Sequence, residues 1–388
     1  MTVVAEALGP ARHLAVRDNG DIYVAMRQRH RGGGIAALRD TNGDGRADRI
    51  ERFGDFGGTG IRIRDGYLYF AHVRGVLRYR FRGNELVPDT TPEVIVKGLP
   101  RQRSHADKPI TFDDRGGLYV NVGAPSNACQ EESRTPGSPG IDPCPQLERH
   151  AGIWRFDADK LGQTQADGDR FATGIRQSVA MCWTPLYGEL YVVQHGRDQL
   201  HSLWPEKFTV KENANLPAEE FLLVERGDNY GWPYCYYDPF KDERVLAPEY
   251  GGDGEKVGRC DQFDKPILTF PAHWAPNDLM FYEGTQFPER YRGGAFIAFH
   301  GSWNRAPLPQ RGFKVVHVPF DGRLPKGEWE VFADGFAGQE VVESVRDALY
   351  RPMGLAEGPD GALYIADSRK GRIWRVKYGE QSPRLHGK

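Results

Sequence analysis

The stretch Asn19-Gly-Asp-Ile-Tyr23-Val is the first of six related stretches that decide the fold of this chain. Each one is a glycine-containing turn that leads into a short run of aromatic and β-branched residues, which is typical of an antiparallel strand. The other five are Asp65-Gly-Tyr-Leu-Tyr69-Phe, Gly116-Gly-Leu-Tyr119-Val, Gly188-Glu-Leu-Tyr191-Val, Gly293-Gly-Ala-Phe296-Ile and Asp360-Gly-Ala-Leu-Tyr364-Ile. Because a supersecondary unit repeated along a chain indicates a radial β array, six copies predict six blades.

Further strands are predicted around each copy. Apolar residues alternate before it as in an inner strand, first at Leu14 and Val16 and last at Met353 and Leu355. Third strands are predicted at Gly75-Val-Leu-Arg-Tyr-Arg-Phe, Ala151-Gly-Ile-Trp-Arg-Phe, Gly312-Phe-Lys-Val-Val-His-Val and Gly371-Arg-Ile-Trp-Arg-Val, with weaker relatives at Gly34-Ile-Ala-Ala-Leu and Gln199-Leu-His-Ser-Leu-Trp. The pattern predicts an all-β fold, a six-bladed β-propeller with four-stranded antiparallel blades. We expect one domain over residues 1–388, with long loop insertions at about 124–150 and 205–270.

The composition excludes two classes of partner. Acidic and basic residues are interspersed and the net charge is −2, so no basic stripe indicates a nucleic-acid partner. No apolar run approaches the roughly 20 residues that a membrane-spanning helix needs. The chain begins without a basic and apolar leader, and we expect any export signal to have been removed or never to have existed.

The five cysteines favour an oxidising compartment. Cys129 and Cys144 bracket a Pro/Gly/Ser-rich loop, and Cys235 and Cys260 bracket a second long loop, so we predict a disulfide across each. Cys182 lies in a predicted inner strand, where a buried free thiol is expected. This pattern predicts a periplasmic or secreted protein, and five reduced cysteines in loops and core are the alternative.

A twelve-residue segment of the first unit matches the pattern of a calcium-binding loop. The candidate ligands are the side chains of Asp40, Asn42, Asp44, Asp48 and Glu51 and the carbonyl of Arg46. Gly45 permits the sharp turn at the centre of such a loop. Because no helix is predicted on either side, we interpret the segment as a structural Ca²⁺ site on a blade hairpin. A solvated Asp/Asn turn is the alternative.

Polar residues stand just before the predicted inner strands and just after the second strands, positions that meet at one mouth of a propeller channel. They are Arg12 and His13, Thr59, His105 with Asp107 and Lys108, Arg176 with Gln177, Asn277 with Asp278, Arg351, His72, His195, His300 and Asp367. Guanidinium and imidazole groups gathered in one funnel would be costly without a counter-charge. We therefore predict an anionic ligand with several carboxylates at this mouth.

Several segments resemble the glucose/sorbosone dehydrogenase family, and most closely its sorbosone-dehydrogenase-like branch, over about residues 8–378. The most distinctive are Asn229-Tyr-Gly-Trp-Pro233 and His300-Gly-Ser-Trp-Asn304-Arg305. Members of this family are soluble quinoproteins whose six-bladed propeller holds pyrroloquinoline quinone (PQQ) with calcium at the channel mouth. The resemblance implies PQQ-dependent oxidation of an aldose or a related hydroxyl or hydrated aldehyde. Electrons would pass to an external acceptor, which could be a quinone, a cytochrome or a dye.

The resemblance also assigns catalytic roles. His105 occupies the place of the family's general base, whose imidazole takes the hydroxyl proton while hydride moves to the quinone. Arg176 matches the arginine that pairs with the cofactor's carboxylates and quinone oxygens, and Gln177 follows it where relatives often have Asn. Asp107 is close enough in sequence to tune His105 and is predicted to contact the substrate, although the family's acid directly precedes the histidine, where this chain has Ser104.

The same resemblance predicts the remaining contacts. Further cofactor-binding residues would be Arg12, His195, Asn304, Arg305 and Arg351, with Arg305 or His300 in place of a family lysine. Gly196 and Arg197 are predicted to ligate the cofactor's Ca²⁺ through their carbonyls, where many relatives have Gly-Pro. Trp274 is predicted to stack on the sugar, with blade packing as the alternative.

Two other functions remain open from the sequence alone. A lactonase-like, metal-dependent propeller hydrolase would require Asp, Glu and Asn side chains to converge on the axis, whereas the axial candidates here are mainly Arg and His. A non-catalytic binding propeller is the other alternative, because a fold does not determine a function.

Overall fold

Six four-stranded antiparallel sheets form the structure, a computed structural model that describes residues 1–379. The predicted six-bladed propeller is thereby confirmed. The predicted domain extends to residue 388, and residues 380–388 lie outside the described part of the chain. Strand β1 (Thr2–Ala5) precedes the first blade and pairs with the third strand of the sixth, so the N-terminal segment closes the ring.

Each blade runs from an inner strand at the axis to an outer strand at the rim, and neighbouring inner strands contact each other. Blades one to three consist of β2 (Ala11–Val16), β3 (Ile22–His30), β4 (Gly33–Arg39) and β5 (Arg49–Phe53); β6 (Gly58–Arg64), β7 (Tyr67–His72), β8 (Gly75–Arg80) and β9 (Glu93–Val96); and β10 (Ile110–Phe112), β11 (Gly117–Val122), β12 (Gly152–Asp157) and β13 (Asp169–Thr173).

Blades four to six consist of β14 (Ser178–Thr184), β15 (Glu189–Gln194), β16 (Glu219–Val224) and β19 (Leu268–Phe270); β20 (Pro276–Phe281), β21 (Ala295–Phe299), β22 (Lys314–Val318) and β25 (Glu330–Ala333); and β26 (Pro352–Glu357), β27 (Leu363–Asp367), β28 (Ile373–Val376) and β1. Two hairpins lie outside the blades, β17 (Cys235–Asp238) with β18 (Glu243–Leu246) and β23 (Phe320–Asp321) with β24 (Leu324–Pro325).

Helices are short and lie in the connections. They are α1 (Leu200–Leu203), α2 (Val210–Asn215) and 3-10 turns at Pro145–Glu148, Gln165–Asp167, Pro248–Tyr250, Gly258–Gln262 and Glu289–Tyr291. Within residues 1–379, none of the helices combines the length and the apolar character needed to traverse a bilayer.

The six glycine-turn stretches all form second strands, and the alternating segments before them all form inner strands. One third-strand prediction is wrong. The segment that begins at Gln199 contains α1, because Leu200 and Leu203 are spaced to bury one face of a helical turn. The third strand of blade four is β16, so the predicted insertion at 205–270 also carries two strands of that blade, β16 and β19.

Both predicted disulfides are present, Cys129–Cys144 and Cys235–Cys260. Cys182 in β14 is the free cysteine of the described residues, and it is partly exposed rather than fully enclosed. Burial nevertheless raises the pKa of its thiol to about 11, so the group is a neutral thiol at ordinary pH.

The core lies between neighbouring blades. Blades four and five meet through aromatic side chains, among them Tyr191, Phe221 and Phe281, each at most 5% exposed. Edge-to-face contacts such as Tyr187 with Phe281, at 5.7 Å between ring centroids, fit the preferred geometry of aromatic pairs. This rigid ring of sheets fixes the starts of the inner strands relative to one another.

Five of the six inner strands shift register close to their first residue, at Arg12–His13, Thr59–Gly60, Val179, Asn277 and Met353. A bulge adds a residue to one strand and re-aims the side chains beside it, and such bulges are frequent next to active sites. The remaining inner strand, β10 of blade three, follows an irregular segment that includes His105. The starts of the inner strands are therefore the place where side chains turn toward the channel mouth.

Candidate active site

His105 is held in one tautomer at the channel mouth. Its Nδ1 lies 2.7 Å from the carbonyl oxygen of Ala124, which can only accept a hydrogen bond, so Nδ1 carries the proton and Nε2 is left as an acceptor. Burial, reinforced by the positive charge of Arg176, lowers the pKa of His105 to about 3. The residue has a φ of 52°, a left-handed conformation that the irregular segment before β10 imposes. His105 is therefore a neutral, oriented base.

Gly123 makes room for this arrangement. A β-carbon at that position would lie 1.9 Å from Oε1 of Gln177 and 2.8 Å from Cβ of His105. The Oε1 atom of Gln177 is itself buried without a hydrogen-bond partner among residues 1–379. An unpartnered buried acceptor beside the predicted base indicates a place for a donor group of a ligand or water.

Arg176 is buried and almost fully engaged by the protein. Its Nε and Nη2 donate to the carbonyl and side-chain oxygens of Asn127, at 3.2 and 2.9 Å. Its Nη1 donates to the carbonyl of Gly196 at 2.9 Å, and Nη2 also contacts Asp198 at 3.0 Å. Since guanidinium has five N–H groups, these four contacts leave one of them on Nη1 for a ligand.

Asp198 links this arginine to the long loop of blade three. It forms ion pairs with both Arg176 and Arg134, each at 3.0 Å. These two guanidinium groups hold the pKa of the Asp198 carboxyl far below its usual range, although burial alone would raise it. Arg134 belongs to the loop that the Cys129–Cys144 disulfide closes. That loop therefore supplies part of the site's electrostatics.

Further imidazole and guanidinium groups complete the mouth. Nε2 of His195 lies 2.7 Å from the carbonyl of Pro276, and Nε2 of His300 lies 2.6 Å from Oγ of Ser368. Burial is the main cause that lowers the pKa of His195 to about 4 and the pKa of His300 well below its usual value. Positive neighbours act in the same direction, since Arg351 and Arg12 both disfavour protonation of His300.

The guanidinium of Arg351 forms no ion pair within residues 1–379, although the backbone N–H of Arg351 donates to Asp367 at 2.7 Å. Its Nε and Nη2 donate to the carbonyls of His300 and Gly301, and burial lowers its pKa to about 10. Arg12, in contrast, pairs with Asp107 at 2.6 Å. Thr59 donates to the other oxygen of Asp107, and this pairing lowers the pKa of that carboxyl to about 2. Asp107 thus lies at the mouth as an ionised carboxylate, and its charge is paired with that of Arg12.

A cavity of about 160 Å³ lies beside His105 and Arg176, and its lining does not include Arg12, Asp107, His300 or Arg351. Its walls include His105, Arg176, His195, Asp198 and Glu219, and Trp303 lies among its other lining residues. The two carboxylate oxygens of Glu219 accept from the backbone N–H groups of Gly196 and Ala275, each at 2.9 Å. Burial raises the pKa of Glu219 to about 8, which keeps it neutral at neutral pH.

Of the predicted cofactor contacts, His105, Arg176 and His195 line this cavity, and the other five do not, namely Arg12, Gln177, Asn304, Arg305 and Arg351. Asn304 and Arg305 have partners away from it. Arg305 donates to the carbonyls of Ala214 and Pro309, where it caps the C-terminal end of α2. Asn304 accepts from the backbone N–H of Gln199 at 3.1 Å and approaches His273. Both side chains therefore fasten the loop after β21. Arg305 and His300 are the two residues predicted to replace the family's lysine, and of these only His300 lies at the mouth.

The side chain of Trp274 also lies outside the axial cavity. It is 6% exposed and packs against Phe299 and Trp329, with ring centroids 5.3 Å away in each case. It lines a separate groove on blade five, whereas its neighbours His273 and Ala275 line the axial cavity. Both neighbours have left-handed φ angles, of 62° and 56°, which turn the intervening indole away. The blade-packing alternative describes this residue.

One of the two predicted calcium ligands has another partner. The Gly196 carbonyl accepts from Arg176. Within residues 1–379, no group of three or more His, Cys, Asp or Glu side chains is arranged to hold a metal ion. A carbonyl that already faces a guanidinium does not fit a calcium ligand.

The loop predicted to bind structural calcium is closed by its own hydrogen bonds. Asp40 accepts from the backbone N–H groups of Gly43 and Gly45, both at 2.7 Å. Glu51 lies in β5, and its carboxylate accepts from Arg49. The structure thus describes a hydrogen-bonded turn, and calcium in this loop stays a prediction.

Sequence reasoning missed Asn127, Asp198, Glu219 and Trp303. Asn127 lies in the disulfide-closed loop, and nothing local to it announces a contact with an arginine 49 residues further along the chain. Asp198 had a weak signal, because it follows Gly196 and Arg197, which the resemblance assigns to the site. Glu219 begins β16, a strand that the repeat pattern did not locate, and Trp303 lies within the quoted segment from His300 to Arg305 without a role assigned to it.

The fold and site together define a six-bladed propeller with a polar cavity at one mouth of its channel. A sequence model of the TrAA12-like family matches residues 1–379, and the chain belongs to that family. The pyrroloquinoline quinone-dependent pyranose dehydrogenase of Coprinopsis cinerea is 26% identical over 277 residues, which cover 62% of this chain and 37% of that protein. The predicted resemblance to quinoprotein sugar dehydrogenases is confirmed.

Two further curated relatives also match this chain. An aldose sugar dehydrogenase of Escherichia coli is 22% identical over 281 residues, which cover 70% of this chain and 60% of that protein. An uncharacterized protein of Borreliella burgdorferi is 28% identical over 210 residues, covering 53% of this chain and 48% of that protein. The match therefore spans about half or less of the first curated relatives.

Solved structures share the fold. A Trichoderma reesei enzyme of carbohydrate-active family AA12 superposes with a TM-score of 0.74 at 20% identity, covering 96% of this chain and 94% of that one. The holo form of the pyranose dehydrogenase PQQ domain from Coprinopsis cinerea gives a TM-score of 0.73 at 20% identity, with coverage of 97% and 94%. At this level of identity the likeness concerns the fold.

Proposed function

We propose that this protein oxidises a pyranose, or a related hydroxyl or hydrated aldehyde, with PQQ as its cofactor, and passes the electrons to an external acceptor. Membership of the TrAA12-like family and the named activities of its relatives support this function. The observation that carries it is His105, a neutral base whose Nδ1 is tied to Ala124 and whose Nε2 is left as an acceptor in the axial cavity.

The donor set of the mouth fits PQQ, a planar molecule with several carboxylates. Arg351 has a guanidinium without an ion pair among the described residues, and Gln177 has an unpartnered buried oxygen that can accept only from an N–H or O–H group. His195 and His300 add neutral imidazoles that can accept or donate. These residues, with Arg12, would hold the cofactor, and when bound it supplies the two-electron acceptor for the oxidation.

The chain's own residues would then orient and deprotonate the substrate. Nε2 of His105 would take the proton of the substrate hydroxyl, because Nδ1 donates to the Ala124 carbonyl and the residue lines the cavity. The remaining N–H of Arg176 would donate to an oxygen in the cavity, and Asn127 and Asp198 fix its direction. Calcium enters no step here, since the Gly196 carbonyl already faces Arg176.

Two finer features belong to this proposal. The electron acceptor would be a quinone, a cytochrome or an artificial dye, because two-electron oxidation of a sugar requires an external oxidant. A periplasmic or secreted location is supported by the two disulfides, which persist in oxidising compartments.

The test begins with the purified protein and added PQQ. Dye reduction is followed over D-glucose, D-galactose and D-xylose, and the melting temperature is measured with and without PQQ. A ligand held at 100 times its Kd should stabilise the fold by about 2.7 kcal/mol. Turnover with at least one sugar and a raised melting temperature are expected. A silent panel with an unchanged melting temperature would reject the proposal.

His105→Gln tests the assigned base, and His201→Gln is its matched control. His201 also places Nδ1 against a carbonyl, that of Phe208 at 2.6 Å, but it lies in α1 outside the cavity. We expect H105Q to lose at least 100-fold in kcat while it keeps PQQ uptake, because general-base catalysis contributes about 10²–10⁴-fold. H201Q should keep its kcat, and equal turnover in both variants would contradict the role of His105.

A further inference from the structure

Trp303 is a half-exposed aromatic residue on the wall of the axial cavity. Its side chain is 50% exposed, whereas Arg176 and Glu219 on the same wall are at most 4% exposed. The indole therefore lies toward the outer rim, and the polar groups lie deeper. A half-exposed indole leaves apolar surface in water, and covering that surface is favourable.

The turn that carries Trp303 is fastened by the two residues that follow it. The side-chain oxygen of Asn304 accepts from the backbone N–H of Gln199 at 3.1 Å, and the backbone carbonyl of Asn304 accepts from Nδ2 of Asn213 at 2.9 Å. Arg305 donates to the carbonyls of Ala214 and Pro309. An aromatic ring on an anchored turn loses little conformational freedom on binding, so it suits a platform for a ligand.

The other prominent aromatic residues do not have this position. Trp274 is packed in blade five with Phe299, and Phe240, which is 76% exposed, lines a groove near α2. Phe56 is 47% exposed and stacks on His72 at a centroid distance of 4.4 Å. Trp303 is the tryptophan that lines the cavity of His105.

The cavity around the indole has the complementary chemistry of a sugar site. A pyranose has a flat face of C–H groups and an edge of hydroxyls. The indole offers an apolar face, and Asp198, Glu219 and Ser302 offer oxygen atoms beside it. Arg134, whose guanidinium carbon lies 5.9 Å from the Trp303 ring centroid, covers one part of the indole and also fixes Asp198.

We propose that Trp303 is the platform on which the pyranose ring stacks, so that the sugar's hydroxyl edge faces His105. This inference rests on the proposed function for the identity of the ligand class. It replaces Trp274, which the sequence predicts for the same role, by a residue 29 positions further along the chain. Trp303 thereby determines specificity for substrates that have a ring face.

The first experiment separates binding from turnover in the PQQ-loaded enzyme. Trp303→Ala should raise KM for D-glucose, D-galactose and D-xylose by roughly tenfold with little change in kcat, because it removes apolar contact and no reacting group. Trp303→Phe should restore most of the lost affinity. Glycerol, which has no ring face, should be affected little. Phe240→Ala is the control, because it removes an exposed aromatic side chain outside the cavity.

The second experiment needs no turnover. Saturation-transfer difference NMR on the protein without PQQ, with each of the three sugars, reports which ring protons lie against the indole. The signal of the pyranose C–H protons should be present in the wild type and in F240A and lost in W303A. Unchanged KM in W303A, or an NMR signal that survives the substitution, overturns the inference. Absent PQQ-dependent turnover in the wild type would instead reject the proposed function, while the NMR result still decides the role of Trp303.

Discussion

Asn127→Ala is expected to damage both stability and turnover, because this side chain holds the arginine at the centre of the site. Its Oδ1 accepts from Nη2 of Arg176 and from the backbone N–H of Asp198, both at 2.9 Å. Its Nδ2 donates to the carbonyl of Asp198, also at 2.9 Å. The residue is 1% exposed, so water cannot easily take over these three hydrogen bonds.

The magnitude follows from these contacts. A neutral buried hydrogen bond contributes about 1 kcal/mol and one to a charged group about 1.5–3 kcal/mol. One charged and two neutral bonds therefore give a loss of roughly 4 kcal/mol in the free energy of unfolding. Arg176 keeps its contacts with the Gly196 carbonyl and with Asp198, so it should remain in place but tilt. A misdirected guanidinium should lower kcat by at least tenfold.

Asn121→Ala is the matched control for this variant. Asn121 is fully buried and bonds to the backbone of Gly152 and Ser178, at 3.1 and 3.2 Å, without contacting Arg176. Urea unfolding should show a loss of about 2 kcal/mol in N121A, and its kcat at low temperature should stay near that of the wild type. If N127A loses less than about 1 kcal/mol, or if both variants lose kcat equally, the assigned role of Asn127 is refuted.

Two further predictions concern pH and the disulfide loop. Because His105 and His195 have pKa values of about 3 and 4 in the folded protein against 6.5 ordinarily, the unfolded chain binds more protons below pH 6.5. The stability that these two neutral histidines contribute is fully present above pH 6.5, and the free energy of unfolding should fall by about 1.4 kcal/mol per histidine and pH unit toward pH 4. Urea unfolding from pH 7 to 5 measures this fall. An H195Q variant whose free energy of unfolding falls as steeply with pH as that of the wild type would contradict the prediction. Replacing Cys129 and Cys144 by Ser should lower the free energy of unfolding by about 3 kcal/mol, the value for a 15-residue loop. It should also lower kcat, because Arg134 is no longer held in place. A variant with wild-type kcat would show that the loop does not support the site.

The blades could be predicted from the sequence because their signals are local. A glycine turn and an alternating strand are specified within about ten residues, and the same unit occurs in every blade. The exception is blade four, where β15 ends at Gln194 and β16 begins at Glu219, so the third strand is separated from the turn that would announce it. The intervening residues form short helices, and the three-residue spacing of Leu200 and Leu203 fits a helical turn, whereas residues on one face of a strand are an even number of positions apart.

The site could be predicted only where strand ends determine it. His105, His195 and His300 lie at the mouth because the starts and ends of propeller strands converge there. Asn127 and Trp303 depend on the paths of long loops, which a repeat pattern does not specify. The orientation of Trp274 depends on two left-handed residues, His273 and Ala275, neither of which is a glycine that would indicate such a conformation.

The charge balance of the mouth connects these observations. Four guanidinium groups surround it, those of Arg12, Arg134, Arg176 and Arg351, and the carboxylates of Asp107, Asp198 and Asp367 partly offset them. Burial raises the pKa of Glu219 to about 8, which weakens its contribution to the negative charge at neutral pH. The excess of positive charge, together with burial, keeps the histidines neutral and available as acceptors. The same excess makes an anionic ligand the natural counter-charge, so the property that binds the cofactor also keeps the base unprotonated.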